Sequence, residues 1–196
     1  MLPIIHTFHM FYQELRSPSH ILQQLSAALR KQAEPPVATA LCFVYFEHLS
    51  DVNGRPTRRF LKASSAAHPS LIIVRKDDTV HPEVEYLPKR DSGATTGLLN
   101  LPLAVFGEEC IEVFPGDLIV GFTDGIEEAR PPDEAVGFGR NGVLSTVLQH
   151  RNEQPECIAR AIFSMAKEFA NDVLNDDTTI VVARIRDTMQ GTNATN

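Results

Sequence analysis

The order of the apolar patterns along the chain is the feature that most constrains how it can fold. Apolar residues recur at helical spacing at both ends of the sequence, and short strand-like apolar runs fill the region between them. The longest run, residues 38–46, predicts a central strand that is covered on both faces. Helices, a β-meander, helices and a final strand favour an α-β-β-α sandwich of the mixed α/β (α+β) class. Its two sheets should be mostly antiparallel and flanked by helices, unlike a Rossmann-type alternation.

Local signals predict where most elements begin and end. Ser17 can cap a helix that starts at Pro18, because proline fits the first turn and serine accepts a hydrogen bond there. Asn53-Gly54 predicts a hairpin turn, since this pair adopts the positive φ angles that such turns need. A polar, glycine-containing surface loop is predicted at 89–100. Periodicity predicts helices at 4–15, 18–29, 141–150 and 156–174 and strands at 58–65, 71–74, 84–87, 112–114, 118–122 and 178–185.

Length, charge and cysteine content exclude several classes of protein. The chain has 196 residues, which suits one domain; we assign residues 1–187 to it and 188–196 to a polar tail. A formal net charge of −7 disfavours nucleic-acid binding, because an acidic protein gains nothing from counterion release. No apolar run is long enough to span a bilayer, and the N-terminus lacks the basic region of a signal peptide. Cys42, Cys110 and Cys157 show neither metal-ligand nor disulfide spacing, so we predict three buried thiols in a reducing cytoplasm.

Two short acidic segments carry the candidate chemistry. In each of them, Asp124-Gly125 and Asp176-Asp177, an aspartate stands at the end of an apolar strand. If the two strands are neighbours, Asp124 and Asp176 converge at one sheet edge, and Gly125 leaves that site uncrowded. Carboxylate oxygens and waters are the ligands that Mg²⁺ and Mn²⁺ prefer. Taken separately, each segment has an ordinary alternative: Asp-Gly can be a hairpin turn, and Asn-Asp-Asp can be a loop.

Together and in this order, the two segments resemble the metal-dependent protein phosphatase (PPM) superfamily. The resemblance is to the bacterial branch of the sporulation stage II protein E and the sigma-B regulator phosphatases, and it covers residues 1–187. That branch carries GD, an apolar strand, TDG and EAR, then FG and a leucine, then DD-x-T before a last apolar strand. The residues that match are Gly116-Asp117, Thr123-Asp124-Gly125, Glu128-Ala129-Arg130, Phe138-Gly139, Leu144 and Asp176-Asp177-Thr178-Thr179. Further matches are Ala66-Ala67-His68-Pro69 to an A-G-H-P segment and residues 17–29 to an S-P-x-x-x-L-x-x-L-N helix.

The resemblance implies a Mn²⁺- or Mg²⁺-dependent protein serine/threonine phosphatase. Family members hold two such ions, which activate a bridging water for in-line attack on phosphorus. By the motif match, Asp124 and Asp176 would be the catalytic metal-binding carboxylates, Gly125 would offer its carbonyl, and Asp177 would bind or lie beside the metal. The branch acts on phosphoserine or phosphothreonine of anti-sigma-factor antagonists. A STAS-like regulatory protein in bacterial signalling is therefore the implied partner, and a homodimer is compatible with the resemblance.

Departures from the family pattern leave a second function open. In the family, early GD-x-x-D and DV-x-G-H-G motifs precede the first helix. This sequence begins within that helix. The sequence is then N-terminally truncated relative to the family, or its start is misassigned, or that ligand is lost. Ala67 replaces the Gly of A-G-H-P, and Ala104 replaces a Gly after Pro-Leu. The alternative is a truncated or degenerate domain that binds a partner without turnover. His68 is either a proton donor or held by hydrogen bonds, and Glu108-Glu109 indicate plain surface charge.

Overall fold

The computed structural model describes residues 17–31, 39–48, 58–76, 83–89, 98, 106–174 and 176–186. Its elements follow the predicted order of helices, meander, helices and final strand. They are α1 (Pro18–Leu29), β1 (Ala40–His48), β2 (Arg58–Ala66), β3 (Leu71–Val74), β4 (Val84–Leu87), β5 (Glu109–Val113), β6 (Leu118–Phe122), α2 (Asp124–Glu127), α3 (Gly139–His150), α4 (Pro155–Phe169) and β7 (Ile180–Arg184). The helix expected at 4–15, the Asn53-Gly54 turn, most of the loop at 89–100 and the C-terminal tail lie outside the described residues.

The strands form two sheets, as the sequence predicts. One sheet has the order β1-β2-β5 and the other the order β4-β3-β6-β7. β1 pairs antiparallel with β2, from Ala40 opposite Ala66 to His48 opposite Arg58, and β6 pairs antiparallel with β3 and β7. The chain divides into two compact units, residues 1–71 with 86–112, and residues 72–85 with 113–196. The candidate site belongs to the second unit.

In the first unit, helix α1 packs against β1 and β2 through one apolar stripe. Its N-cap is Ser17, whose Oγ accepts a hydrogen bond from His20 N at 3.3 Å, which confirms the predicted start. A fully buried leucine contributes ~1.5–3 kcal/mol, so the stripe accounts for much of the attachment of α1. The core around it consists of Ile21, Leu22, Leu29, Cys42, Ala66, Leu98 and Phe106.

Glu108 is exposed, as the prediction of surface charge expects, but it also completes the N-terminus of α1, a role that the prediction did not include. Its Oε2 accepts hydrogen bonds from Ser17 Oγ at 2.6 Å and from both Ser19 N and Ser19 Oγ at 3.2 Å. Its Oε1 lies 3.2 Å from Lys62 Nζ. Burial acts to raise the pKa of Glu108, but the hydrogen bonds from the two serines and the Lys62 charge outweigh it. The pKa of Glu108 therefore lies below its ordinary value, and the carboxylate also suits the positive end of the helix dipole.

We expect Glu108→Gln to lower the free energy of unfolding in a pH-dependent way. The pKa of Glu108 is lower in the folded protein than in the unfolded chain. Its stabilising contribution is therefore complete above the ordinary value of 4.5 and is lost as the pH falls through the folded value. Urea unfolding between about pH 3 and pH 7 should show the two proteins differing most near neutrality and converging in acid. A stability difference that stays constant across this range would contradict the electrostatic role of Glu108.

In the second unit, β3 and β6 are buried along their whole length, as their apolar runs predict. Helix α4 contacts both α3 and β7, and its residues Ile158 and Ile162 are 0% exposed. Arg184 on β7 donates hydrogen bonds to the backbone carbonyls of Gly116, Arg151 and Glu153. This cation satisfies carbonyls at the C-terminal end of α3, where positive charge is favourable, and burial lowers the pKa of its guanidinium.

The longest apolar run does not form the doubly covered central strand that we expected. Among the described strands, β1 lies at the end of its sheet. Phe43 and Tyr45 are 41% and 43% exposed, whereas Cys42, on the other face, is buried. An apolar run shows that a segment favours a strand, but it does not determine how many neighbours that strand has.

The cysteine prediction is confirmed for one of the three thiols. Cys42 is buried, while Cys110 and Cys157 are exposed. Burial, with a smaller effect of the Glu108 charge, raises the pKa of Cys42 to about 11. Cys110 lies on an exposed side of strand β5, and Cys157 lies on an exposed side of helix α4. Separately, within the part of the chain that the structure describes, no helix has the length and apolarity needed to cross a membrane.

Candidate metal site

Asp124 lies directly after β6, at the first residue of the single-turn helix α2. Thr123 is the extended N-cap residue, with φ −80° and ψ 161°. The Asp124 carbonyl accepts a hydrogen bond from Glu128 N at 2.7 Å, and its carboxylate Oδ1 accepts one from Gly125 N at 3.1 Å. Ile126 is 0% exposed and anchors the turn in the core. Asp124-Gly125 begins a helix and does not join two paired strands, so the hairpin-turn alternative does not hold.

Asp176 and Asp177 come just before β7, which is the antiparallel neighbour of β6. The last pair of the β6–β7 ladder is Phe122 opposite Ile180. Because the two strands run in opposite directions, the end of β6 and the start of β7 share one sheet edge. Both aspartates are exposed, and Asp177 N donates to Asp176 Oδ1 at 2.7 Å. The topology therefore places the Asp176-Asp177 segment next to the segment that carries Asp124.

Three hydrogen bonds beyond the ladder join these two segments. Thr123 N donates to Thr179 O at 3.1 Å, and Thr179 N donates to Thr123 Oγ1 at 2.9 Å. Thr123 Oγ1 in turn donates to Asp177 O at 3.1 Å. Thr123 matches the first residue of the TDG motif, but its sequence context predicts no role for it. A threonine at a strand end has many ordinary explanations, and only the register of β7 shows what its hydroxyl reaches.

Gly125 marks the closest approach of the two segments. A Cβ atom at this position would lie 2.6 Å from Asp177 O and 3.3 Å from Asp176 C, both of them backbone atoms. Any side chain would therefore push the Asp176-Asp177 peptide away from α2. This contact agrees with the expectation that a glycine after Asp124 keeps the site uncrowded.

Gly125→Ala is expected to lower the free energy of unfolding by ~1–3 kcal/mol, the usual cost of forcing extra volume into a packed position. It should also weaken Mn²⁺ binding, because the added methyl group separates Asp124 from Asp176. Gly142→Ala in α3 is the control for added volume away from the aspartates, since the nearest atoms to its new Cβ belong to the side chain of Phe138, at 2.7 to 2.9 Å. Urea unfolding and manganese calorimetry measure the two effects. A Gly125→Ala protein with wild-type stability would show that the close approach is absent in solution.

The residues at this edge are of the chemical kind that a hard divalent cation prefers. Asp124, Asp176 and Asp177 could supply carboxylate oxygens, and Gly125 could supply a backbone carbonyl. Mg²⁺ is commonly held by one or two carboxylates, with waters completing its shell. Within the described ranges, no three His, Cys, Asp or Glu side chains are grouped to hold a metal ion. The assignment of these four residues to metal binding stays a prediction.

Asp117, in the Gly-Asp pair at the other end of β6, is a buried anchor that the sequence analysis did not recognise. It is 1% exposed and accepts hydrogen bonds from Arg75 Nη1 at 2.7 Å and from the backbone N–H groups of Lys76 and Phe114 at 2.9 Å. Arg75 also pairs with Glu85. Burial acts to lower the pKa of Arg75, but the two carboxylates outweigh it and hold that pKa above its ordinary value. The sequence does carry a signal for this ion pair: Arg75 directly follows one apolar strand, and Asp117 directly precedes another.

His68 is held by local hydrogen bonds, which favours a structural role over the role of a proton donor. Its Nδ1 lies 2.9 Å from Pro69 O, its backbone N donates to Ser65 Oγ at 3.2 Å, and that hydroxyl donates to His68 O at 2.9 Å. The neighbouring Ala67 has a φ of 58°, a left-handed conformation that favours glycine. The glycine of the family's A-G-H-P segment therefore has a backbone explanation at this position.

Comparison with known proteins identifies the family of the chain. A family model described as stage II sporulation protein E (SpoIIE) matches residues 1–186. Protein IcfG of Synechocystis sp. is 21% identical to this chain over 117 residues. That alignment covers 60% of this chain and 17% of IcfG, so the chain spans only a small part of this curated relative.

Solved structures share the fold at low sequence identity. The SiaA-PP2C domain of Pseudomonas aeruginosa has a TM-score of 0.62 and 19% identity, covering 93% of this chain and 65% of that one. The RsbU and RsbW domains of Rv1364c from Mycobacterium tuberculosis have a TM-score of 0.69 and 16% identity, covering 94% and 46%. The phosphatase domain of SpoIIE from Bacillus subtilis, presoaked with Mn, has a TM-score of 0.55 and 16% identity, covering 93% and 73%. The two antiparallel sheets with flanking helices are thus a PP2C-like fold, and the chain belongs to the SpoIIE family of PPM/PP2C phosphatase domains.

Proposed function

We propose that this domain is a Mn²⁺- or Mg²⁺-dependent phosphatase that hydrolyses phosphoserine or phosphothreonine on a regulatory protein. The observation that carries the proposal is the juxtaposition of the Asp124 and Asp176-Asp177 segments at one end of the β6–β7 pair. Membership of the SpoIIE family supports the class of reaction.

In this proposal, Asp124 and Asp176 are the catalytic metal-binding carboxylates, and Gly125 and Asp177 contribute further oxygens. Bound Mn²⁺ or Mg²⁺, two ions in a complete site, supplies an activated water and neutralises charge on the phosphoryl group. The chain's own residues would hold and orient the ions: Asp124 directly follows β6, and Asp176 lies shortly before β7 on a segment that is hydrogen-bonded to Thr123. Asp176 and Asp177 are exposed, which leaves this edge accessible to a phosphate carried on another protein.

The proposed substrate is a phosphorylated STAS-like antagonist of an anti-sigma factor in bacterial signalling. Its support is the motif resemblance of Thr123-Asp124-Gly125 and Asp176-Asp177 to the bacterial branch that acts on such antagonists. A cytoplasmic location would suit such a partner, and a homodimer is compatible with it. We also propose that residues 1–187 are part of one such domain, within which the family match over residues 1–186 lies.

A second candidate function is a degenerate phosphatase domain that binds a partner without turnover. One observation favours it: the described residues contain no group of three metal-ligating side chains. Such a domain would keep the fold and its recognition surface and would lack the metal that the reaction needs.

Manganese calorimetry combined with a phosphatase assay separates the two functions. The enzyme should bind Mn²⁺ with a dissociation constant of about 1 μM or tighter. It should hydrolyse p-nitrophenyl phosphate and a phosphoserine peptide only with Mn²⁺ or Mg²⁺, and EDTA should stop both reactions. Failure to bind Mn²⁺ and to hydrolyse either substrate would overturn the enzymatic proposal in favour of the binding module.

A further inference from the structure

We propose that Thr123 is a positioning residue of the candidate metal site, whose hydroxyl holds the Asp176-Asp177 segment against the start of α2. This inference rests on the proposed function, because it gives Thr123 a part in Mn²⁺ binding by the same site. The hydroxyl acts through the backbone of the aspartate segment and does not itself contact the metal.

The Thr123 hydroxyl does not do what an N-cap hydroxyl ordinarily does. An N-cap threonine usually accepts a hydrogen bond from the first turn of its own helix. Thr123 makes no such side-chain bond to α2. Its Oγ1 instead accepts from Thr179 N at 2.9 Å and donates to Asp177 O at 3.1 Å. The hydroxyl therefore uses both its acceptor and its donor capacity for bonds to the segment that carries Asp177 and Thr179.

These bonds lie beyond the last pair of the sheet ladder, next to the backbone bond from Thr123 N to Thr179 O. The last ladder pair is Phe122 opposite Ile180, because the chain turns into α2 at Asp124. Asp176, Asp177 and Thr179 are exposed, so apolar packing does not fix their backbone. The hydroxyl continues the cross-strand bonding past that pair, to the N–H of Thr179 and to the carbonyl of Asp177, the residue that follows Asp176. Removing it should leave the Asp176 carboxylate less well placed relative to Asp124.

Three variants test this inference. Thr123→Val keeps the shape and β-branching of threonine and removes only the hydroxyl, whereas Thr123→Ser retains the hydroxyl. Ser26→Ala is the control for general destabilisation, since it removes a buried side-chain bond to Leu98 O in the other unit. Mn²⁺ affinity is measured by calorimetry, and Tm by thermal unfolding. We expect Thr123→Val to raise the Mn²⁺ dissociation constant by about tenfold or more, the usual effect of losing a group that orients a ligand.

The serine variant should keep the wild-type Mn²⁺ affinity, and Ser26→Ala should lower Tm without changing that affinity. A purely structural Thr123 would instead lower Tm in the valine variant and leave its Mn²⁺ affinity unchanged, which would overturn the inference alone. Equal losses of affinity in the valine and serine variants would also overturn it, because the hydroxyl would then not be the cause. A wild-type chain that binds no Mn²⁺ would overturn the proposed function and this inference together.

Discussion

Replacing Asp124 with asparagine is expected to lower Mn²⁺-dependent hydrolysis of p-nitrophenyl phosphate by about 100-fold or more. Asparagine keeps the size of the side chain and one carbonyl oxygen, but it removes the negative charge from a half-buried position. A catalytic metal ion contributes several kcal/mol to the stabilisation of developing charge, and a loss of ~2.7 kcal/mol corresponds to 100-fold in rate. The rate should be measured over a range of Mn²⁺ concentrations, so that weaker metal binding and slower turnover are distinguished.

Asp133→Asn is the matched control for this substitution. Asp133 is an exposed aspartate in the loop after α2, so its replacement removes the same charge from the same region without touching the proposed site. That variant should keep wild-type activity, and both variants should keep the wild-type circular dichroism spectrum. An Asp124→Asn protein within about twofold of wild-type kcat/KM would contradict the assignment of Asp124 as a metal ligand.

Asp176→Asn should produce a loss of similar size, and the double variant should be little worse than either single one. Residues that act as a unit are non-additive, because the function is already lost when one member is removed. Additive losses would indicate that the two carboxylates act independently and do not share a cation.

The elements that sequence patterns predicted are those whose signals are local. Ser17-Pro18 specifies its own helix start, because the cap and the fixed φ of proline act within one turn. The buried runs of β3 and β6 are likewise apolar at every position. The position of β1 at a sheet end was not predictable in this way, because it depends on which strands pair with β1. Its residues Phe43 and Tyr45 look the same in sequence whether or not another layer covers them.

The candidate site shows the same division between local and long-range information. The proximity of the Asp124 and Asp176-Asp177 segments was predicted on the condition that the two apolar strands are neighbours, and the antiparallel pairing of β6 with β7 meets that condition. The role of Thr123 could not be predicted from sequence. It depends on which residues of one segment lie opposite Thr123, and those residues are 54 to 56 positions away in the chain. Glu108 is a similar case: it caps a helix about 90 residues earlier in the chain, and its own surroundings in sequence give no sign of this.

Asp117→Asn should be the most destabilising of the substitutions considered, with a loss of ~3–5 kcal/mol in the free energy of unfolding. Asp117 is 1% exposed, and both of its carboxylate oxygens accept hydrogen bonds. Oδ2 accepts from Arg75 Nη1 and Phe114 N, and Oδ1 accepts from Lys76 N. An asparagine has one acceptor oxygen, so its NH₂ group must face donors in either orientation. Arg75 would also lose the Asp117 carboxylate as a partner, while only 16% of its side chain is exposed.

Glu156→Gln is the control for this last substitution, because Glu156 and Arg160 form a pair on α4 with side chains 75% and 77% exposed. Exposed pairs four residues apart on a helix contribute ~0.3–0.5 kcal/mol, since water solvates both charges when the pair breaks. Urea unfolding of the two variants therefore compares a buried ion pair with an exposed one in the same unit. If Asp117→Asn lowered the free energy of unfolding by no more than Glu156→Gln does, Asp117 would not anchor β6. The Gly-Asp pair would then require a functional explanation and not a structural one.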